Sequence, residues 1–177
     1  MTRKEERTEN AVKYGYEAFA NSFNCGQSSL AGLLKEFKPE LEAEKRDELI
    51  KAASLVYGVG GRGETCGTIQ GSIMFLGVLY GKDMTQDALV PANAMKFINK
   101  VSIITEFANN MEKIWGSTRC SEIHGQIMGR HYDMEQFKDL MAFYNDGASE
   151  KCQKAVEVAI REVCRMIMDD EGNIIER

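Results

Sequence analysis

The stretch from Tyr57 to Gly81 limits what this chain can fold into more than any other. Glycines at 58, 60, 61 and 63 make a loop that opens directly into an apolar segment beginning at Cys66. Within that segment Ile69, Ile73, Met74, Phe75, Leu76, Val78 and Leu79 point in every direction of a helix, so the helix should be buried on all sides. Glycine inside a helix costs about 1 kcal/mol relative to alanine. Gly67, Gly71 and Gly77 therefore read as places where neighbouring backbones come close. This puts Cys66 at the buried N-terminus of a central helix.

With 177 residues the chain fits a single domain, 1–177, able to bury roughly 70% of its unfolded surface without disulfides. Only two prolines in a sequence that is 44% hydrophobic and 28% charged favour long helices in a globular protein. A net charge of −5 leaves no broad basic surface, which argues against nucleic acid as a partner. The first ten residues lack the apolar core of a signal peptide, and no run is long enough for a membrane span. The expected location is cytoplasmic and reducing, where cysteines serve metals or redox chemistry more often than structural disulfides.

Taken in order, Val12, Tyr16, Phe19 and Phe23 form the apolar stripe of a first helix over 4–22. Asn24 caps a second, with Cys25 in its first turn and Leu30, Leu33, Leu34 and Phe37 on its apolar face, and Pro39 closes it. A solvated helix over 40–56 ends in Leu49, Ile50, Ala53, Leu55 and Val56, and a polar connection over 82–89 follows the central helix. Pro91 suits the first turn of a long helix with the stripe Ala94, Phe97, Ile98, Val101, Ile104, Phe107, Met111 and Ile114, ended by Gly116. Ser117 or Thr118 can cap a short turn with Cys120 that ends at Gly125, and 126–133 reads as irregular. Residues 134–145 make a helix with Phe137, Leu140, Met141 and Tyr144 inward. Ser149 caps the last helix, with Cys152 in its first turn and Val156, Ala159, Val163 and Ile167 on one face; 169–177 reads as a frayed tail. No period-two alternation occurs. The expected fold is all-α, a compact helical bundle around the buried glycine-rich helix.

The five cysteines contain no Cys-x-x-Cys pair, so zinc-ribbon, thioredoxin and c-type haem patterns are absent. Yet Cys25, Cys66, Cys120 and Cys152 each fall in the first turn of an expected helix, where free N–H groups and the helix dipole favour thiolate. The alternative for each is a small buried apolar residue. Should the four converge, bare thiolates ~4 Å apart would repel by about 4 kcal/mol per pair at an effective dielectric of ~20. A cation, an iron-sulfur core, protonation or a disulfide must then relieve them. Cys164, twelve residues after Cys152 and turned away from it on a helix, reads as core or bystander.

Five pieces of sequence, in order, carry a resemblance. They are Asn24-Cys25-x-Gln27, Gly61-x-Gly63-Glu64-Thr65-Cys66-Gly67-x-x-x-Gly71, Leu76-Gly77-x-Leu79-Tyr80-Gly81, Gly116-Ser117-x-x-Cys120-x-x-x-x-Gly125 and the later Cys152. Together the set resembles the redox-active C_GCAxxG_C_C family over residues 24 to about 165. Members carry four cysteines, the second within Cys-Gly-Ala-x-x-Gly, and the four match Cys25, Cys66, Cys120 and Cys152. The family is similar to the iron-sulfur domain of split-Soret cytochrome c, which implies an iron-sulfur centre of [2Fe-2S] type on some of these cysteines. Gly63, Gly67 and Gly71 would support it. The chain departs from the family pattern at Thr68, where the family has alanine, at a charged helix over 40–48, at His124 in a usually apolar place, and at the extra Cys164.

Other patterns compete. Gly58, Gly60 and Gly63 match a dinucleotide fingerprint with Asp83 twenty residues on, but helical runs flank the loop where strands are required. The loop also nearly spells a Walker A motif, with Glu64 in the lysine position where a carboxylate would repel phosphate. More plausibly the glycines turn backbone amides toward the Cys66 sulfur. His124, four residues after Cys120, opens Cys/His zinc ligation if that turn is helical; otherwise it is a polar surface residue. Arg62, Arg119 and Lys151 stand beside cysteines, where they could neutralise thiolates or simply be solvated. The first reading is electron transfer or redox sensing through an iron-sulfur centre. The second is a metal-free thiol-disulfide oxidoreductase, and the third a zinc-binding module. The partner would be another redox protein, self-association into a homo-oligomer is left open, and no acid-base pair of an enzyme can be picked out.

Overall fold

The structure, a computed structural model, describes residues 1–21, 24–81 and 91–177, with side chains over 91–100 given only at 95, 98 and 100. Phe23, Asp83 and the connection over 82–89 lie outside the described residues, as do the side chains of Ala94 and Phe97. The fold is all-α: among the described residues the only β-type pairings are the isolated bridges Thr65–Arg119 and Met168–Ile174.

Helix α1 (Arg3–Ala20) begins in a capping box in which Thr2 accepts from the Glu5 amide and the Glu5 carboxylate accepts from the Thr2 amide. Helix α2 (Cys25–Phe37) begins in another: the Asn24 side chain accepts from the Gln27 amide at 2.9 Å, and Gln27 Oε1 accepts from the Asn24 amide. Both cap residues also reach outward, Asn24 donating to the Ser54 carbonyl and Gln27 to that of Ile50. This ties the start of α2 to α3 (Ala43–Ala52) and the 3₁₀ turn Ala53–Leu55. The first two helices run antiparallel, with Arg7 paired to Glu36 and Gly15 near Ser28. They touch backbone to backbone, because a Cβ on Gly32 would lie 2.5 Å from the Ala11 carbonyl oxygen.

After a one-turn segment, α4 (Gly58–Gly61), the central helix α5 (Gly67–Tyr80) lies parallel to α2. Gly26 meets Gly67 at one end of this contact, and Phe37 meets Phe75 further along. A Cβ on Gly71 would sit 2.1 Å from the Gly26 carbonyl oxygen and 2.6 Å from Ser29 Oγ, so Gly67 and Gly71 are close-approach sites as the sequence suggests. Gly77 is not: it is exposed and nothing lies within 4 Å of its would-be Cβ. Nor is α5 buried on every side, since Ile73, Met74, Val78 and Leu79 are only half-buried. The uniform apolarity hid a preferred side, which Gly67 and Gly71 define because only small residues fit there against α2.

Helix α6 (Pro91–Trp115) buries Ile103, Phe107 and Met111, while Ile98, Val101 and Ile114 of the expected stripe are exposed. Helix α7 (Cys120–Met128) is longer than expected and ends at Gly129 in the left-handed region, not at Gly125. In α8 (Phe137–Asn145) the inward residue is Phe143; Phe137, Met141 and Tyr144 face solvent, so the predicted phase is off by about one position. Ser149 does not cap the last helix. Gly147, with φ 88°, starts a short α9 (Ala148–Lys151), and Cys152 itself is the N-cap of α10 (Gln153–Ile167). The face of α10 with Val156, Ala159, Val163 and Ile167 is fully buried over α1, α2 and α5. Leu55 is exposed.

The C-terminal residues are held, not frayed. The Ile175 amide donates to the Ile167 carbonyl, Tyr80 Oη donates to that of Ile175, and Arg177 pairs with Glu106. Asp169 accepts from the amides of Glu171 and Asn173, closing a turn against the start of α1. Short polar residues that read as tail instead form a turn, because carboxylates beside backbone amides satisfy it locally.

Two glycines of α5 give a paired prediction. Gly71→Ala should lower unfolding free energy by about 1–3 kcal/mol or more, since a backbone carbonyl blocks the methyl. Gly77→Ala should raise it by up to about 1 kcal/mol, because the site is open and alanine favours helix. Chemical denaturation of the two variants against the parent checks both signs.

Candidate functional site

Two short segments clamp two of the cysteines together. The Cys66 amide donates to the Thr118 carbonyl at 2.9 Å, the Cys120 amide donates to that of Glu64 at 2.6 Å, and Ser121 donates through both its amide and its hydroxyl to Gly63. This antiparallel pairing of 63–66 with 118–121 sets Cys66 and Cys120 side by side, and α5 and α7 leave from it. The glycine loop wraps the same point. Residues 58–61 all have positive φ, including Val59 at φ 47° and ψ 69°, a left-handed conformation that costs an L-residue roughly 1–2 kcal/mol. Glycine at 58 is required: there a Cβ would stand 3.0 Å from Cys120 Cβ and 3.2 Å from its sulfur.

Cys25 arrives from α2. Its sulfur occupies the space left by the missing side chain of Gly67, where a Cβ would be 2.6 Å away. The parallel packing of α2 on α5 thus brings three helix N-termini, with Cys25, Cys66 and Cys120, to one place. Cys152, at the start of α10, stands apart from this trio beside Tyr132, Phe143 and Ala148. Cys164 is fully buried in the main core.

The trio shares its protons unevenly. Hydrogen bonds from the Cys120 thiol, and next from that of Cys25, hold the Cys66 thiol well below the usual cysteine range, overcoming burial. The Thr68 hydroxyl, 3.3 Å from the Cys66 sulfur, and the Thr68 amide act in the same direction. For Cys25 and Cys120 the same bonds to Cys66, aided by burial, push the thiols up. Burial, then the negative charge of Cys66, pushes Cys152 up to about 12. These directions favour a thiolate at Cys66 between two thiols held neutral, an arrangement in which protonation would relieve the repulsion expected of clustered thiolates.

The stabilising amide comes from Thr68 in the first turn of α5, not from the glycine loop. Arg119, one of the cations beside the cysteines, pairs with Glu64 at 3.5 Å. His124 is buried rather than a surface residue. Its Nε2 lies 3.4 Å from the Cys120 sulfur and its ring lies over Phe143 at 4.5 Å between centroids. Burial lowers its pKa, which favours the neutral imidazole. Sequence reasoning missed the part played by Thr68, whose only signal was its departure from the family pattern, and that of Gly58, which looked like one loop glycine among several.

A cavity of about 490 Å³ opens onto this cluster. Cys25, Cys120 and Cys152 line it together with His124 and the rings of Phe19, Tyr57, Phe143 and Tyr144. Cys66 is behind this wall, 4% exposed. Thiol donors suit a soft metal or an iron-sulfur core. The side chains as placed do not enclose one, for among the described residues no three of His, Cys, Asp and Glu are grouped so as to hold a metal ion. The nucleotide readings of the loop gain nothing: no strand precedes it among the described residues.

Among the described residues no helix is long and apolar enough to cross a membrane. Comparison with curated proteins and with solved structures gave no match. The family model described as "Putative redox-active protein (C_GCAxxG_C_C)" matches residues 23–166, a span that contains the capped start of α2, the clamp between 63–66 and 118–121, and all five cysteines. This chain belongs to the redox-active C_GCAxxG_C_C family.

Proposed function

We propose that the protein works as a dithiol redox centre, with Cys66 as its reactive thiolate and Cys120 as the sulfur that pairs with it on oxidation. One observation carries this reading: the paired segments 63–66 and 118–121 set Cys66 and Cys120 side by side, both of them buried. A thiolate is the attacking species in thiol-disulfide chemistry, and a second thiol already in contact supplies the partner sulfur. As the S–S bond forms the pair gives up two electrons to an external acceptor. Cys25 stands as a third sulfur against Gly67, and His124 Nε2 lies 3.4 Å from the Cys120 sulfur.

A second reading has its own support. Four cysteines at or next to helix starts, three of them lining one cavity, together with the family resemblance, favour an iron-sulfur centre, of [2Fe-2S] type, serving electron transfer or redox sensing. Zinc ligation by the same cysteines with His124 is the remaining metal option. The redox partner in either case would be a protein or small molecule of the reducing cytoplasm.

Anaerobic purification followed by iron, sulfide, zinc and thiol analysis separates the readings. A dithiol centre should give no metal and five titratable thiols, falling by two on mild oxidation; Cys66→Ser should abolish that fall and Cys164→Ser should leave it intact. A coloured protein with iron and acid-labile sulfide, bleached by Cys66→Ser, would establish the cluster instead.

Thiolate ultraviolet absorbance gives a second check. Because the Cys66 pKa is lowered, its thiolate should persist as pH falls below the ~8.5 of an ordinary cysteine. Cys66→Ser should remove that signal at neutral pH, whereas Cys152→Ser, at a thiol pushed up to about 12, should keep it.

A further inference from the structure

The cavity beside the sulfurs has a chemistry of its own. The three cluster cysteines are well shielded, with Cys66 4% and Cys120 8% exposed and Cys25 half-buried. Thiol exchange depends on access to the sulfur, and the approach here is through a cavity of about 490 Å³. That volume lies within the range of small-molecule sites, roughly 300–1,000 Å³. Its described walls carry aromatic rings on several sides, from α1 (Phe19), from the loop (Tyr57) and from α8 (Phe143 and Tyr144). No Lys, Arg, Asp or Glu is among the described lining residues. Phosphate-bearing cofactors and charged peptide disulfides would find no counter-charge there, and burying an unpaired charge is costly. A flat neutral ring meets aromatic faces on favourable terms.

The geometry points to a neutral, flat quinone as the molecule that enters this cavity and takes electrons from the dithiol, an inference that rests on the dithiol reading. The Cys66 thiolate and the Cys120 thiol together lose two electrons and one proton as the S–S bond forms. The quinone gains both electrons, that proton and a second proton from solvent at its two oxygens, and leaves as hydroquinone. Cys120 is the contact, because it lines the cavity and the pairing of 63–66 with 118–121 sets it beside Cys66. A two-electron acceptor matches a dithiol in stoichiometry, and its ring matches the walls.

The test is a single anaerobic turnover of the reduced full-length chain with tetramethyl-1,4-benzoquinone, whose blocked ring positions discourage thiol addition. The expected result is one quinone reduced for two thiols lost, at a rate that saturates and is competed by naphthalene. Leu140→Trp and Ser149→Trp fill the cavity from two different walls without touching the sulfurs, and either should slow the reaction about tenfold or more, the scale of one misplaced apolar contact. Phe137→Ala, on the solvent face of α8, should not. All three variants should still lose two thiols to diamide, which shows that the folded dithiol is intact. Oxidation of the pair by diamide without reduction of the quinone, or quinone reduction indifferent to naphthalene and to both tryptophans, would overturn the quinone assignment and leave the dithiol standing. Failure of both reagents to remove two thiols from the parent chain would overturn the dithiol reading, and this inference with it.

Discussion

The approach of α2 to α5 is the constraint on which the site depends. Two helices usually keep their axes apart by the bulk of their side chains, at 8–10 Å. Here Gly26, Gly67 and Gly71 remove that bulk at one end, so a carbonyl of one helix occupies the place where a side chain of the other would begin. Because the two helices run parallel, the contact brings their N-termini together as well as their flanks. Free amides and the positive ends of two helix dipoles converge there. The sulfur of Cys25 fills the hollow that Gly67 leaves, and Cys66 caps the second helix beside it. A side chain at 67 would displace the sulfur and press on the backbone of Tyr57 and Gly26.

Around this contact, in the dithiol reading, the electrostatic conflict of clustered thiols is met by distributing protons. Three thiolates in contact would repel strongly, and three thiols would leave the helix termini without an anion. One thiolate held by two thiols satisfies both demands, and the Thr68 hydroxyl and amide complete its hydrogen bonding. Thr68 and His124 both set a polar atom against a cluster sulfur, on Cys66 and Cys120 respectively. The site is therefore polar on its protein side, while its cavity side is walled by rings.

The strained loop belongs to the same economy of space. Consecutive positive φ values over 58–61 are tolerable because three of the four residues are glycine, and Val59 holds its side chain out toward solvent. The turn lets Gly58 pass directly over Cys120, then returns the chain so that Gly63 and Glu64 pair with 120 and 121. Without that pairing Cys120, fifty-four residues further along, would have no reason to meet Cys66.

Much was legible in the sequence because it is local. Asn24 with Gln27 three residues on announces the start of α2, Pro91 and Gly116 bracket α6, and the helix class follows from spacing and from the near absence of proline. The placing of Cys25, Cys66, Cys120 and Cys152 at or beside helix starts is of the same kind, since capping chemistry is written within a few residues. What lay in tertiary structure was whatever depends on two distant segments choosing a mutual orientation. The side of α5 that faces inward was hidden by its uniform apolarity, and the phase of α8 was misjudged because Phe137 and Tyr144 are as apolar as Phe143. The held C-terminus depends on Tyr80 and Arg3, far away in sequence. The partition of charge within the trio could not be read either: the sequence determined that thiols sit at helix termini, but which one is the thiolate was decided by sulfur-to-sulfur contacts that exist only once α2, α5 and α7 meet.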